Sequence, residues 1–342
     1  MGRGLARFDD VGRGDPAPEW VLRGAREAWD LSAGAAMSLI VLSENVTFRV
    51  DIDGAPRLVV RLARPGYGGG AGHIRSELDW IEALREAGIP TPAPVRGADG
   101  ELVQRIRDED DEVWLASAFE FVTGEVLEDR PGFAAHGRGI GELTARLHTQ
   151  ARNWRRPEGF ARFDWELGDM VGPAARWGDW RDARLADRER ELLEEAERRA
   201  KRVLAEAGDS RTPERWGLIH ADLRPSNAIL RPEGELVVID FDDCGGGWYR
   251  YDFAAALTFY EHREEALELA AGWIEGYRET LPLHWADLDE ACAWSMIRRL
   301  TMLGWQQTHR PDALPADLWA EYAPGTLDVA ARYLDDPRAL VR

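Results

Sequence analysis

Apolar residues recur along this chain at two different periods, and the change from one to the other divides it. Residues 19–31, with Trp20, Ala28 and Leu31 on one side, have the spacing of a helix. Residues 37–42, 46–52 and 57–62 are short runs rich in β-branched side chains. The last two flank Asp53-Gly54, a pair that tolerates the positive φ of a tight hairpin, so three successive strands are predicted. Ile74, Leu78, Ile81 and Leu84 return to helical spacing over 74–87, and Gly88 and Pro90 end that helix. Strands follow at 94–95, 101–106 and 113–122, the last two separated by an acidic turn. Beyond residue 132 the pattern is helical over 132–149, 187–206, 253–260, 264–280, 287–309 and 317–334. Residues 151–184 have no period but hold Trp154, Trp165, Trp177 and Trp180, which suits either a cleft lining or a satellite core beneath a long loop.

One stretch breaks the helical half. Residues 218–243, LIHADLRPSNAILRPEGELVVIDFDD, set His220, Asp222, Asn227, Asp240 and Asp242 among the short apolar runs 218–219, 228–230 and 236–239, with a turn at 232–235. A hairpin would bring the two polar clusters side by side. Acidic residues at strand ends are commonly solvated turn formers. Here their order matches the needs of phosphoryl transfer: an Asp to orient an attacking hydroxyl, then an Asn and a second Asp to hold Mg²⁺ against phosphates.

Composition narrows the reading. A chain of 342 residues is long enough for two lobes, and a net charge of −19 disfavours nucleic acid and anionic membranes; it suits a cationic ligand and equally suits solubility alone. Cys244 and Cys292 are too few for a disulfide framework, which points to a reducing cytoplasm. No apolar stretch is long enough to span a bilayer, and the first residues lack the apolar core of a signal peptide. Lys201 is the only lysine and lies in the charged helix 187–206. A lysine contact to phosphate from the strand-rich half is therefore excluded.

HADLRPSN followed by VIDFDD resembles the catalytic and metal motifs of kinase-like phosphotransferases. The chain is similar to the aminoglycoside phosphotransferase family, which includes choline, homoserine and hydroxylysine kinases and stress-response serine/threonine kinases. The resemblance implies an α+β, bilobal, protein-kinase-like fold. A small β-rich N-lobe with one key helix would cover 1–122, with a hinge at 119–124. A larger, mainly α-helical C-lobe would cover 123–342, with the catalytic loop at 218–230 and the metal motif at 236–243. It implies ATP or GTP and Mg²⁺ as cofactors, bound between the lobes. Asp222 would be the catalytic base, Asn227 and Asp240 the metal ligands with Asp242 a weaker one, and His220 a structural residue of the loop.

In the N-lobe, Arg61 stands where kinases keep a lysine, within RLARPGY, which resembles an arginine-bearing subgroup. Glu77, in SELDWIEAL, is its implied partner ahead of Glu82 and Glu86. Ser43 and Asn45 occupy the place of the phosphate-covering loop, without its glycines. The backbone of Glu120 and Val122 would meet adenine, beside Phe119. Arg224 would contact phosphate, and Asp252 would be an N-cap and anchor of the catalytic loop. Cys244 and His148 read as packing residues.

The acceptor is less determined. HADLRPSN follows the protein-kinase pattern, and Ala221, Arg224 and Ser226 depart from the family's usual HGDxHxxN. Asp240 and Asp252 are only twelve residues apart, too few for a peptide-binding activation segment, and Ala221 replaces the arginine through which such a segment acts. The expected acceptor is a hydroxyl of a small, cationic molecule: an aminoglycoside, an amino alcohol or a related metabolite. A stress-response-type protein kinase is the alternative. A nucleotide-binding pseudokinase is another, since the loop glycines and the strand lysine are absent.

Overall fold

The structure, a computed structural model, describes residues 5–66 and 69–341, so Tyr67 of the RLARPGY run lies outside it. The chain divides into two compact units. One is Met1–Thr123 with Arg155–Arg162; the other is Gly124–Trp154 with Phe163–Arg342. Residues 155–162, expected in the second lobe, join the first unit because Ala161 N donates to Ser76 Oγ (2.9 Å) and Arg162 Nη1 to the carbonyl of His73 (3.2 Å).

The first unit holds α1 (Glu19–Trp29), β1 (Ala36–Leu42), β2 (Asn45–Ile52), β3 (Ala55–Ala63), α2 (Ala71–Glu86), β4 (Pro94–Val95), β5 (Gln104–Arg107) and β6 (Val113–Glu120). The strands form one antiparallel sheet in the order β1-β2-β3-β6-β4, with β5 also on β6. Alternation along β2 buries Val46, Phe48 and Val50, and β6 buries Trp114, Ala116 and Ala118. Trp20, Val21 and Ala25 of α1 share that core, where Phe8 packs between Trp20 and Trp114 at ring distances of 5.8 and 5.6 Å. Asp53 and Gly54 both take positive φ (52° and 76°), the hairpin geometry their types allow. Residues 101–103, expected in a strand, precede β5 and are not part of it.

The second unit holds β7 (Glu125–Val126), α3 (Gly137–Asn153), α4 (Leu167–Met170), α5 (Asp187–Ala207), β8 (Trp216–Ile219), β9 (Ala228–Leu230), β10 (Leu236–Val238), β11 (Gly245–Trp248), α6 (Tyr251–Ala256), α7 (Glu265–Arg278), α8 (Trp285–Thr308) and α9 (Ala316–Asp335). Helix α3 starts five residues later than its apolar pattern suggests, after a 3₁₀ turn at Phe133–His136. Helix α6 is shorter than expected; Phe259, just beyond it, takes φ 75°.

Helices α3 and α7 meet through glycines. A Cβ on Gly141 would lie 2.0 Å from the Trp273 carbonyl, and one on Gly276 1.9 Å from that of Arg138. In α8 every residue over 290–305 is buried, including Arg298 and Arg299. Trp165, Trp177 and Trp180 are also buried, with Trp165 and Trp177 in contact at 5.1 Å, so the tryptophan-rich segment forms a satellite core. No helix among the described residues is long and apolar enough to cross a membrane.

Two small antiparallel sheets carry the unusual stretch: β10-β9-β7 and β11-β8. The sequence pattern missed β11, because Gly245-Gly246-Gly247 has no strand propensity. Glycine is required there: a Cβ on Gly245 would sit 2.5 Å from the Phe163 carbonyl, next to the parallel bridge between Asp164 and Gly246.

Candidate active site

The loop after β8 is shaped by Asp252. Its Oδ1 accepts the amide of Ala221 at 2.8 Å and its Oδ2 the amide of His220 at 3.2 Å. Asp252 lies inside the first turn of α6, whose N-cap is Arg250, so it anchors the loop without capping the helix. Behind it His148 Nε2 meets Asp252 Oδ2 at 2.9 Å, and His148 Nδ1 meets the Tyr277 hydroxyl at 2.9 Å. Complete burial pushes the His148 pKa down against the pull of Asp252. The neutral ring then donates from Nε2 to the carboxylate and accepts the tyrosine proton at Nδ1. His148, a packing residue by its sequence context, belongs to the chain of groups that holds the loop.

These bonds hold Ala221 at φ 66°, where a Cβ is unfavourable and where the related motif has glycine. They also set His220, whose Nδ1 accepts the amide of Asp222 (3.3 Å) and whose Nε2 donates to the Ile239 carbonyl (3.1 Å). Ile239 N in turn donates to the Asn227 carbonyl at 3.0 Å, next to the pairing of Val238 with Ala228. Asn227 and Asp240 are thereby held close across the β9–β10 hairpin.

Asp222 is gripped at both carboxylate oxygens. Oδ2 accepts Asn227 Nδ2 at 2.7 Å, while Arg224 Nε lies 3.4 Å away. Oδ1 accepts Nη2 of Arg298. Arg298, fully buried on α8, also donates to the Ala221 carbonyl (2.8 Å), the Tyr251 hydroxyl (2.8 Å) and Thr258 Oγ1 (2.6 Å). Burial works against the Arg298 charge, but the Tyr251 and Asp222 oxygens outweigh it and raise the pKa above its ordinary range. An arginine with that many acceptors is a rigid support for the loop.

Sequence reasoning missed Arg298. The available signal was two adjacent arginines in the otherwise apolar helical run ACAWSMIRRLTMLG, since buried charges require partners.

Asn227 Nδ2 is committed to the carboxylate and carbonyl of Asp222 (2.7 and 2.8 Å), which leaves its Oδ1 out of the grip on Asp222. Asp240 is exposed, with φ 63°, and Asp242 is half-buried. An amide oxygen and a carboxylate suit a hard cation such as Mg²⁺, which fills its remaining positions with phosphate oxygens and water. Among the described residues, no three His, Cys, Asp or Glu side chains are placed to hold a metal by themselves. The donor set fits a cation that arrives with its phosphates. Arg224 also stands 3.6 Å from Glu128 and over the Phe259 ring, 5.1 Å from its centroid.

In the first unit, Arg61 on β3 directs Nη2 at both oxygens of Glu77 on α2, at 2.7 and 2.8 Å, with both residues buried. Glu82 instead pairs with Arg96 at 2.9 Å, and Glu86 is exposed. Phe119 lies under Arg61, its centroid 5.6 Å from the guanidinium carbon. Ser43 lies in the tight turn between β1 and β2, its amide donating to the Asn45 carbonyl at 3.0 Å, and Asn45 is a buried strand residue. Glu120, exposed at the end of β6, donates its amide to Ala93; Val122 is buried just beyond. Cys244 is buried, a packed thiol.

Residues 38–291 match the phosphotransferase enzyme family. Among solved structures, the chain is similar to the microcompartment-associated aminopropanol kinase, with a TM-score of 0.81 and 34% identity over 93% of this chain and 98% of that one. The fold is also that of an amicoumacin kinase in complex with AMP-PNP, Ca²⁺ and Ami, with a TM-score of 0.72 and 20% identity over 97% and 96%. A homoserine kinase from Hyphomonas neptunium is 30% identical over 231 residues, which span 63% of this chain and 65% of the relative, less than two thirds of its length. The mixed α+β architecture, an antiparallel-sheet unit and a mainly helical one, is that of these kinase-like structures.

Proposed function

The chain belongs to the phosphotransferase enzyme family and is a kinase of the small-molecule type, and from that premise we propose that it transfers the γ-phosphate of ATP or GTP, with Mg²⁺, to a hydroxyl of a small metabolite. The observation that carries this reading is the grip on Asp222. Arg298 and Asn227 hold one carboxylate oxygen each, so the group is fixed where an acceptor hydroxyl can be aligned by it. In a phosphoryl transfer with little covalent work for the protein, that alignment is the chain's main contribution.

Asn227 Oδ1 and Asp240 would hold the cation, with Asp242 beside them; the cation supplies charge neutralisation on the transferred phosphate. Arg61, positioned by Glu77, keeps a guanidinium where kinases place a phosphate-binding lysine. Ser43, Asn45 and the backbone of Glu120 and Val122 are assigned to the nucleotide on resemblance alone.

A small acceptor is favoured over a peptide by the segment that follows Asp240. It turns directly into β11, which pairs with β8 and leads into α6 at Tyr251, leaving no free activation segment. The related aminopropanol and homoserine kinases are named for small amine-bearing alcohols. The amicoumacin kinase of the same fold carries AMP-PNP and a divalent cation, which supports the nucleotide and metal assignment.

The test is ADP release by purified protein with ATP or GTP and Mg²⁺, against 1-amino-2-propanol, homoserine, an aminoglycoside and a generic protein substrate. Acceptor-dependent release with one of the small molecules is expected. Asp222→Asn, which keeps an oxygen for Arg298, should lower kcat by about 10²–10⁴-fold while nucleotide binding persists. Release that no small acceptor stimulates, or full turnover by Asp222→Asn, would refute the reading.

A further inference from the structure

Phe259, just beyond α6, has a left-handed backbone at φ 75°, and its bulky side chain makes that conformation a genuine outlier. Residues held in this way persist where their surroundings over-determine them, and they gather at functional sites. The surroundings here are specific. Thr258 Oγ1 accepts Nε of Arg298 at 2.6 Å. The Phe259 ring lies under Arg224, its centroid 5.1 Å from the guanidinium carbon. The Tyr260 hydroxyl donates to Glu128 Oε1 at 2.9 Å, and that oxygen faces Arg224 Nη1 at 3.6 Å. A continued helix would spread three successive side chains about 100° apart around its axis. With the turn at Phe259, all three serve the two arginines that meet Asp222.

Arg298 is fixed by four acceptors and needs little more. Arg224 is not fixed in that way. Its Nε lies 3.4 Å from Asp222 Oδ2 and its Nη1 3.6 Å from Glu128, both long for a charge-assisted hydrogen bond. Burial works against its charge; Asp222 and then Glu128 outweigh that and hold its pKa above the ordinary value, while the Arg298 charge pushes against it. Two long pairs of nearly equal length do not decide whether the guanidinium sits nearer Asp222 or Glu128. The ring does. Phe259 is 2% exposed and is wedged against Tyr322 at 5.1 Å and Trp305 at 6.0 Å, so the face under Arg224 has nowhere to move.

We propose that Phe259 is a positioning residue for phosphotransfer: its ring sets Arg224 against Asp222 Oδ2, and its left-handed backbone is retained because that turn lets Thr258, Phe259 and Tyr260 act on both arginines at once. The inference rests on the phosphotransferase reading and adds to it a residue that the apolar pattern places in an ordinary helix. Resemblance makes Arg224 a phosphate contact. In this arrangement it steadies the catalytic carboxylate at the oxygen that Arg298 does not hold, and Tyr260 acts on it through Glu128.

The experiment is a double-variant cycle on the full chain. Turnover of MgATP is measured with each of 1-amino-2-propanol, homoserine and an aminoglycoside that wild type uses, and the Kd for ADP is measured alongside. Phe259→Leu and Phe259→Met keep apolar bulk and remove the aromatic face; each is made alone and together with Arg224→Met. Phe259→Leu should lower kcat by about 10-fold, the worth of one desolvated cation–π contact, with ADP affinity near wild type. In the Arg224→Met background the same change should alter kcat by less than about 2-fold, because the ring then has no guanidinium to hold. Phe259→Met should follow the same pattern, so either variant decides if the other does not fold. Tyr260→Phe keeps its ring and loses only the hydroxyl on Glu128; it should lower kcat by a smaller factor, and that loss should also vanish in Arg224→Met.

Losses that multiply, with Phe259→Leu lowering kcat as much in Arg224→Met as in wild type, would overturn the assignment and make Phe259 a packing residue. A Phe259→Leu with wild-type kcat would overturn it as well, and so would one whose ADP affinity falls in step with kcat, the mark of a generally disordered site. Each of those results leaves the phosphotransferase reading intact, because wild type turns over in all of them. Absence of turnover by wild type with any of the three acceptors would overturn both readings.

Discussion

Two guanidiniums approach Asp222, and they differ in what they can do. Arg298 is fully buried and divides its donors among Asp222, Ala221, Tyr251 and Thr258, whereas Arg224 makes longer contacts to two carboxylates, and its Nη1, 3.6 Å from Glu128, makes no hydrogen bond. Removing a buried charge's partner typically costs about 3–5 kcal/mol. Arg298→Met is therefore expected to lower the denaturation midpoint strongly, and Arg298→Lys, which keeps the charge but cannot reach all four acceptors, to fold and yet lose turnover with nucleotide affinity retained. A Lys variant with wild-type kcat would show that Arg298 only fills space. Ala221 is the opposite case: at φ 66° its Cβ is a burden, so Ala221→Gly should raise the melting temperature, by about 1 kcal/mol of stability, without loss of turnover. Legibility at this scale follows sequence distance. That His220, Asp222, Asn227 and Asp240 come together could be read because they lie within one motif of fixed spacing. Arg298 could not, because it reaches Asp222 from 76 residues away and only packing reveals the meeting.

Among the elements, most of the longer helices were readable because they bury an apolar stripe, and the start of α3 moved because a 3₁₀ turn precedes it. Strand β11 was not readable. Its three glycines carry no apolar pattern; the strand pairs with β8 and bridges to Asp164, and a Cβ on Gly245 would lie 2.5 Å from the Phe163 carbonyl. Glycine has the same meaning between α3 and α7. The 2.0 Å approach of a Gly141 Cβ to the Trp273 carbonyl meets main chain, which cannot rotate away. Gly141→Ala should force the helices apart and cost about 1–3 kcal/mol, read as a lowered urea midpoint. The damage should extend to turnover, since α3 carries His148 and α7 carries Tyr277, the two residues behind Asp252. Gly234→Ala is the control: the site is a surface turn with open space around it, where only the positive φ of 92° penalises the methyl group. It should lower stability while sparing the kinetic constants.

For the molecule as a whole, the buried histidines make folding of the second unit depend on pH. Burial lowers the pKa of His148, and burial with the Arg299 charge lowers that of His262 to about 4. A histidine that is harder to protonate in the folded state binds more protons when unfolded. Its stabilising contribution is complete above the unfolded value of about 6.5 and is lost as pH falls from there toward the folded value. His148, being fully buried, can contribute up to about 1.4 kcal/mol per pH unit over that window; His262, its side chain also largely buried, adds to the loss over the same pH range. The expected observation is a urea midpoint nearly flat from pH 8 to 7 that falls below pH 6, followed through fluorescence of the buried tryptophans of this unit. His148→Gln, which can still donate to Asp252, should flatten the acid limb while lowering the plateau. The loss should also reach the catalytic loop, because a protonated His148 can no longer accept the Tyr277 hydroxyl at Nδ1, and Asp252 holds the amides of His220 and Ala221 from the same cluster. Turnover measured between pH 7 and 5.5 should therefore fall in step with the urea midpoint in wild type and less steeply in His148→Gln. A variant whose acid limb matches wild type in both measurements would remove His148 from this account and assign the acid sensitivity to the carboxylate pairs instead.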